Sequence, residues 1–259
     1  MEHPTTIVLG LGLESGLAVA RRFHDASHNV LVADHQKSRV EKAQGELPDV
    51  VETRHYERDE LVHNAFADAE TSFGRLDHLI LIPPIAEPDT LVGFDSKSFG
   101  EGVAAGVLMQ ADAMRDFAER VLEQDEAVGV RAEQKRQRGS ITMILSLAAH
   151  LSQPGQFTAT VLQGAAEAMV RSAALELAPD AIRVNAICAL RPRAERREGS
   201  GLSGRTPMGR TASSDEIAEA AFFLSDERVA IVTGETLVLD GGRSRLSGTL
   251  FTLGGSGGS

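Results

Sequence analysis

Thr6-Ile-Val-Leu9 is an apolar run of strand length, and Gly10-Leu-Gly-Leu-Glu-Ser-Gly16 follows it directly, ahead of a segment with helical period. A strand that turns tightly into a helix needs residues without side chains at the turn. There the backbone N–H groups can approach a pyrophosphate, and the helix N-terminus adds partial positive charge. A glycine trio alone is a weak signal; its place between strand and helix raises it. Gly10, Gly12 and Gly16 are therefore the first candidate cofactor-binding residues. Glu14 stands among them, and its carboxylate would repel a pyrophosphate unless it faces solvent. The second apolar run, Asn29-Val-Leu-Val-Ala33, ends in Asp34, eighteen residues after Gly16. A carboxylate there accepts both hydroxyls of an adenosine ribose and repels a 2′-phosphate, which favours NAD over NADP. The alternative is an aspartate that caps the helix after it.

Outward from this turn, apolar runs alternate with helical-period segments. Strands are predicted at 6–9, 29–33, 50–54, 77–82, 140–145, 182–187 and 235–239, and helices at 15–26, 39–47, 60–73, 98–123, 157–177 and 215–224. Pro83 and Pro84 stop the strongest strand. The pattern predicts an α/β fold, a Rossmann-type doubly wound parallel sheet in three layers. It reads as a single domain over residues 1–250, with a flexible Gly/Ser tail at 251–259. The charged stretch 124–138 reads as a solvated helix extension or loop, and 191–205 as a lid. A net charge of −11 argues against nucleic-acid binding. The single cysteine, Cys188, cannot form an intramolecular disulfide and reads as a small buried hydrophobe. No leader peptide or membrane-length apolar run is visible, so a cytoplasmic protein without membrane or metal partners is expected.

The order of elements resembles the short-chain dehydrogenase/reductase family over about residues 6–242. Gly139-Ser-Ile-Thr-Met-Ile-Leu-Ser146 is similar to that family's fifth strand with its catalytic serine, and Ala181-Ile-Arg-Val-Asn-Ala-Ile187 to its sixth. Thr233-Gly-Glu-Thr-Leu-Val-Leu-Asp-Gly-Gly242 is similar to its C-terminal signature. The resemblance implies a nicotinamide cofactor, hydride transfer at an alcohol or carbonyl carbon, and a homo- or hetero-oligomer, dimer or tetramer, of such subunits. Function must still be argued from the site.

In that family a tyrosine donates a proton to the substrate oxygen held by the serine, and a lysine four residues later tunes the tyrosine and holds the nicotinamide ribose. Counted from Ser146, those positions hold Ala159 and Gln163. No shift of alignment restores the pair, because the only tyrosine is Tyr56 and no lysine follows Lys135. Ile82-Pro-Pro-Ile85 replaces the family's Asn-Asn-Ala-Gly, Val103 or a neighbouring alanine its helix asparagine, and Ala189-Leu190 its Pro-Gly. His55 stands where an adenine-binding aspartate is common. Loss of a general acid typically lowers rate by about 10²- to 10⁴-fold. Ser146 remains as a residual substrate contact or a strand-end hydrogen-bonding group. Gln163 offers an amide to a ribose hydroxyl, and His150 is a candidate substitute donor. Arg191, Arg193, Arg196, Arg197 and Arg205 could meet an anionic ligand, against a self-paired loop with Glu195 and Glu198. Three readings follow: a catalytically degenerate, dinucleotide-binding subunit beside an active partner, with room for a small-molecule ligand; an active oxidoreductase using His150 or water; and a sensor of NAD redox state. The first is preferred.

Overall fold

Along each strand, side chains alternate between the two faces, so a strand buried on both sides must be apolar throughout. Ile7 and Leu9 of the first strand join one core cluster while Val8 joins the other. Leu31 and Ala33 likewise oppose Val30 and Val32, and Met143 and Leu145 oppose Ile144. Two cores therefore sandwich one sheet, giving three layers. The computed structural model describes residues 3–12, 14–127, 137–190 and 206–246, with backbone only at 125–127. The predicted lid with its arginines, part of the charged stretch and the Gly/Ser tail lie outside the described residues.

The strands are β1 (Thr5–Leu9), β2 (Asn29–Asp34), β3 (Glu52–His55), β4 (His78–Leu81), β5 (Gly139–Ser146), β6 (Ile182–Ala189) and β7 (Thr236–Leu239). All neighbours pair in parallel, in the order β3-β2-β1-β4-β5-β6-β7. Helices α1 (Ser15–Asp25), α2 (Lys37–Glu46) and α7 (Ser214–Ser225) belong to the layer of Val8 and Ile80. Helices α3 (Leu61–Phe73), α5 (Met109–Ala127) and α6 (Phe157–Leu177) cover the layer of Ile7 and Leu79. This is the doubly wound Rossmann-type arrangement expected. No helix among the described residues is long and apolar enough to cross a membrane.

One element departs from expectation. The helix predicted at 98–123 is broken into α4 (Ser96–Val103), a π-helical segment (Ala104–Leu108) and α5. Gln110, 1% exposed, donates its side-chain amide to the Ala105 carbonyl at 3.0 Å, five residues back. A side chain that satisfies a carbonyl of the helical ladder lets the turn widen.

The strand order reverses between β1 and β4, since β2 and β3 lie to one side and β5 to β7 to the other. Ligands of such sheets bind outside the carboxyl ends of the strands at that reversal. The glycine turn lies there.

Candidate functional site

The turn is built so that only glycine fits two of its corners. Gly10 has φ +84, and a Cβ on it would fall 2.4 Å from the Ile82 carbonyl oxygen. Gly16 has no Cβ to place either: one would meet the Leu11 carbonyl oxygen at 2.3 Å, the atom that accepts from the Gly16 N–H at 2.9 Å. Gly12, at φ +55, has only an Ile82 methyl 3.5 Å away and leaves a backbone cradle that a side chain would fill. Glu14 occupies the N-cap position of α1 and is half-buried. The glycines fit a pyrophosphate at a helix N-terminus, whereas the half-buried Glu14 carboxylate opposes one.

Asp34 is fully buried. Its Oδ2 accepts from the Leu11 N–H at 2.8 Å and its Oδ1 from the Gln36 N–H at 2.7 Å. The carboxylate thus ties the end of β2 to the glycine turn, with Arg39 and His35 each 3.4 Å away. Helix α2 begins at Lys37 and its N-cap is Gln36, so Asp34 stands before the cap rather than at it. Around it the rim carries His35, Arg39, His55 and Arg58, with His55 and Arg58 both bonded to His35. Burial holds His35 below its ordinary pKa, against the pull of Asp34.

At the other half of the crevice, Ser146 ends β5. Its backbone N–H donates to Gln163 Oε1 at 2.8 Å, and its Oγ accepts from the Ala148 N–H at 3.2 Å. Gln163, on α6 and 2% exposed, also donates Nε2 to the Pro84 carbonyl at 3.3 Å. One amide therefore clamps the exit of β4 to the end of β5. Ala159, one turn earlier on α6, is 1% exposed and presents only a methyl group. His150 lies exposed just past a 3₁₀ turn (Leu147–Ala149). Cys188 is fully buried, donates Sγ to the Ser146 carbonyl at 3.1 Å, and has its thiol pushed up to about 12 by burial, so it is no thiolate at neutral pH.

Tyr56 is held elsewhere. Its hydroxyl donates to Asp68 at 2.5 Å, and burial followed by that bond pushes its pKa well above the usual phenol range. It follows β3, four strand spacings from β5 in the sheet order, or about 19 Å. It does not stand beside Ser146.

Sequence reasoning missed the strap over this half. Asp89, between β4 and α4, accepts from the Thr158 N–H at 2.9 Å and from the Thr158 hydroxyl, while its backbone pairs with Gly155 and Phe157. Phe94, Phe99 and Phe157 cluster alongside, with ring centroids 5.4–6.4 Å apart. Partners 69 residues apart leave no local signal.

A family model described as Enoyl-(Acyl carrier protein) reductase matches residues 14–244. The chain is 29% identical over 203 residues to the short-chain dehydrogenase srdC of Neurospora crassa, covering 71% of this chain and 73% of that one. Among solved structures, 3-ketoacyl-(acyl-carrier-protein) reductase from Brucella melitensis complexed with NADH superposes with a TM-score of 0.83 at 25% identity, over 94% of this chain and 99% of that one. ElxO with NADP bound superposes at 0.79, with 19% identity, over 94% and 100%. A sheet wound this way, a glycine turn at its reversal and a match along most of the sequence agree: the chain belongs to the short-chain dehydrogenase/reductase family.

Proposed function

We propose that this protein binds a nicotinamide dinucleotide, NAD in preference to NADP, without carrying out ordinary hydride transfer, and serves as a structural or sensory subunit in an oligomer of related subunits. The Gln163 amide carries this reading. It is committed to the Ser146 N–H and the Pro84 carbonyl, where the family's chemistry needs a cation, and Ala159 has no proton to give. Hydride arriving at a carbonyl carbon builds charge on oxygen, and that charge needs a donor. The pyrophosphate half keeps its glycines and its helix N-terminus. The fixed negative charge of Asp34 at the end of β2 supports NAD, because a 2′-phosphate beside it is repelled. Exposed apolar side chains on α4, the π-helical segment and α6, namely Val103, Leu108 and Val161, support subunit contacts.

The test pairs two measurements on the purified protein. Fluorescence titration with NADH and NADPH is expected to give saturable binding, tighter for NADH. Turnover of a panel of alcohols and ketones is expected to fall about 10²-fold or more below ordinary dehydrogenase rates. Ordinary turnover sinks the degenerate reading; replacing His150 by Ala then tests whether that imidazole is the donor. Absence of binding to either dinucleotide sinks the reading entirely.

A further inference from the structure

The Gln163 amide clamps the exits of β4 and β5 in the half of the crevice where the family resemblance places the nicotinamide. It is neutral, so the fixed charges of that half are those of its neighbours. Asp89, half-buried at the first turn of α6, accepts only from the Thr158 N–H and hydroxyl. Glu167 follows Gln163 by one turn of α6, with its side chain 14% exposed and Arg171 3.8 Å away. Asp240, directly after β7 and 5% exposed, accepts from the Gly242 N–H at 2.8 Å and the Ser244 N–H at 2.5 Å. Asp89 and Asp240 thus have neutral donors and no ion pair among the described residues.

The buried Cys188 thiol responds to these carboxylates. It lies 3.1 Å from the Ser146 carbonyl oxygen. Burial is the largest cause of its raised pKa; Glu167 and Asp240 add to it, and only a backbone N–H at His150 opposes them. No cation acts on it. Of the cations described at this end of the sheet, Arg210 pairs with Glu216. Arg243 and Arg245 follow β7, two strand spacings from β5, or about 10 Å.

On the reading that this crevice takes a dinucleotide, we propose that its nicotinamide half tells the two oxidation states apart and holds NAD⁺ more tightly than NADH. The two forms differ by one positive charge, carried by the nicotinamide ring of NAD⁺. A lysine, which the family pattern places at position 163, repels that charge. Gln163 does not, and the surrounding carboxylates attract it. Discrimination of this kind requires no hydride transfer, so the methyl group of Ala159 does not impair it. It gives a sensory subunit the direction of its response.

Calorimetric titration of the full chain with NAD⁺ and with NADH, in one buffer at one ionic strength, tests this. NAD⁺ is expected to bind about tenfold more tightly, the size of a unit-charge attraction that solvent partly screens. Asp89→Asn keeps an acceptor for the Thr158 N–H but removes the charge, and the ratio of the two affinities is expected to fall about threefold. Gln163→Lys is expected to invert the ratio. Each ratio is taken within one protein, so a loss of folded fraction that weakens both ligands alike cancels. Equal affinities in the parent protein, tighter NADH, or a ratio that neither variant moves overturns the proposal and leaves dinucleotide binding standing. Binding of neither form overturns it together with the reading on which it rests.

Discussion

At the residue scale, the site is set by atoms that have no room or no choice. Gly10→Ala forces a Cβ toward the Ile82 carbonyl oxygen at a positive φ. It is expected to cost about 1–3 kcal/mol and to abolish dinucleotide binding, read by thermal unfolding and NADH titration; a stable variant with unchanged binding would refute this role for the turn. Gln163→Lys is the informative exchange on the other side. Lysine has no acceptor, so the part-buried Ser146 N–H loses its partner, at about 1 kcal/mol. No turnover is expected to appear, because position 159 still lacks a hydroxyl. Assay of the variant against the parent protein, with denaturant curves for both, checks the two halves of this statement. The sequence shows Ala159 and Gln163 at the positions where the resemblance places a tyrosine and a lysine. It could not reveal that the glutamine at 163 is spent on the backbone, since Pro84 and Ser146 meet it only after folding.

At the element scale, α6 owes its start to a residue far away in the chain. Its own N-cap, Gln156, makes no side-chain cap, while Asp89 supplies a carboxylate to the first turn. Negative charge and an acceptor at that end satisfy an orphan N–H and favour the helix dipole. Asp89→Ala is expected to destabilise the fold by about 0.5–2 kcal/mol and to loosen the strap bearing Phe94. Urea unfolding, together with hydrogen exchange at residues 155–160, measures both effects; normal protection there would dismiss the strap. Helix α7, by contrast, carries its signal in sequence. Ser213 and Glu216 form a complete capping box, and Arg210 holds the Glu216 carboxyl down at about 2. The π-helical break at Ala104–Leu108 had no such local mark. Its cause is a buried Gln110 whose position depends on the packing of α5.

At the scale of the whole molecule, the two poles of the sheet behave differently. One ends in glycine and open backbone; the other holds two histidines, His78 buried and His28 half-buried. Burial lowers His28 to about 4, with Asp77 opposing and Arg22 assisting, and lowers His78 to about 3, assisted by His28. The unfolded chain takes up these protons near 6.5, whereas the native chain refuses them until far lower pH. Their contribution to stability is therefore complete above pH 6.5 and is lost as pH falls toward 4. The slope reaches about 1.4 kcal/mol per pH unit for each proton. Urea midpoints at pH 7, 6 and 5 should fall in that order, and less steeply in His78→Phe; midpoints that do not move would contradict the burial of these rings.

The sequence by itself determined the alternation of apolar runs and helical segments, the turn after the first strand, and the alanine and glutamine at positions 159 and 163. These are properties of composition and of local period, which no fold can alter. Tertiary structure alone decided what the surviving polar groups do. Asp34 turned inward to backbone N–H groups, Gln163 bridged two strand ends, and His28 met His78 across strands that are remote in the chain. Such pairings depend on which loops arrive at the same end of a parallel sheet, and that is settled by strand order rather than by neighbours in sequence.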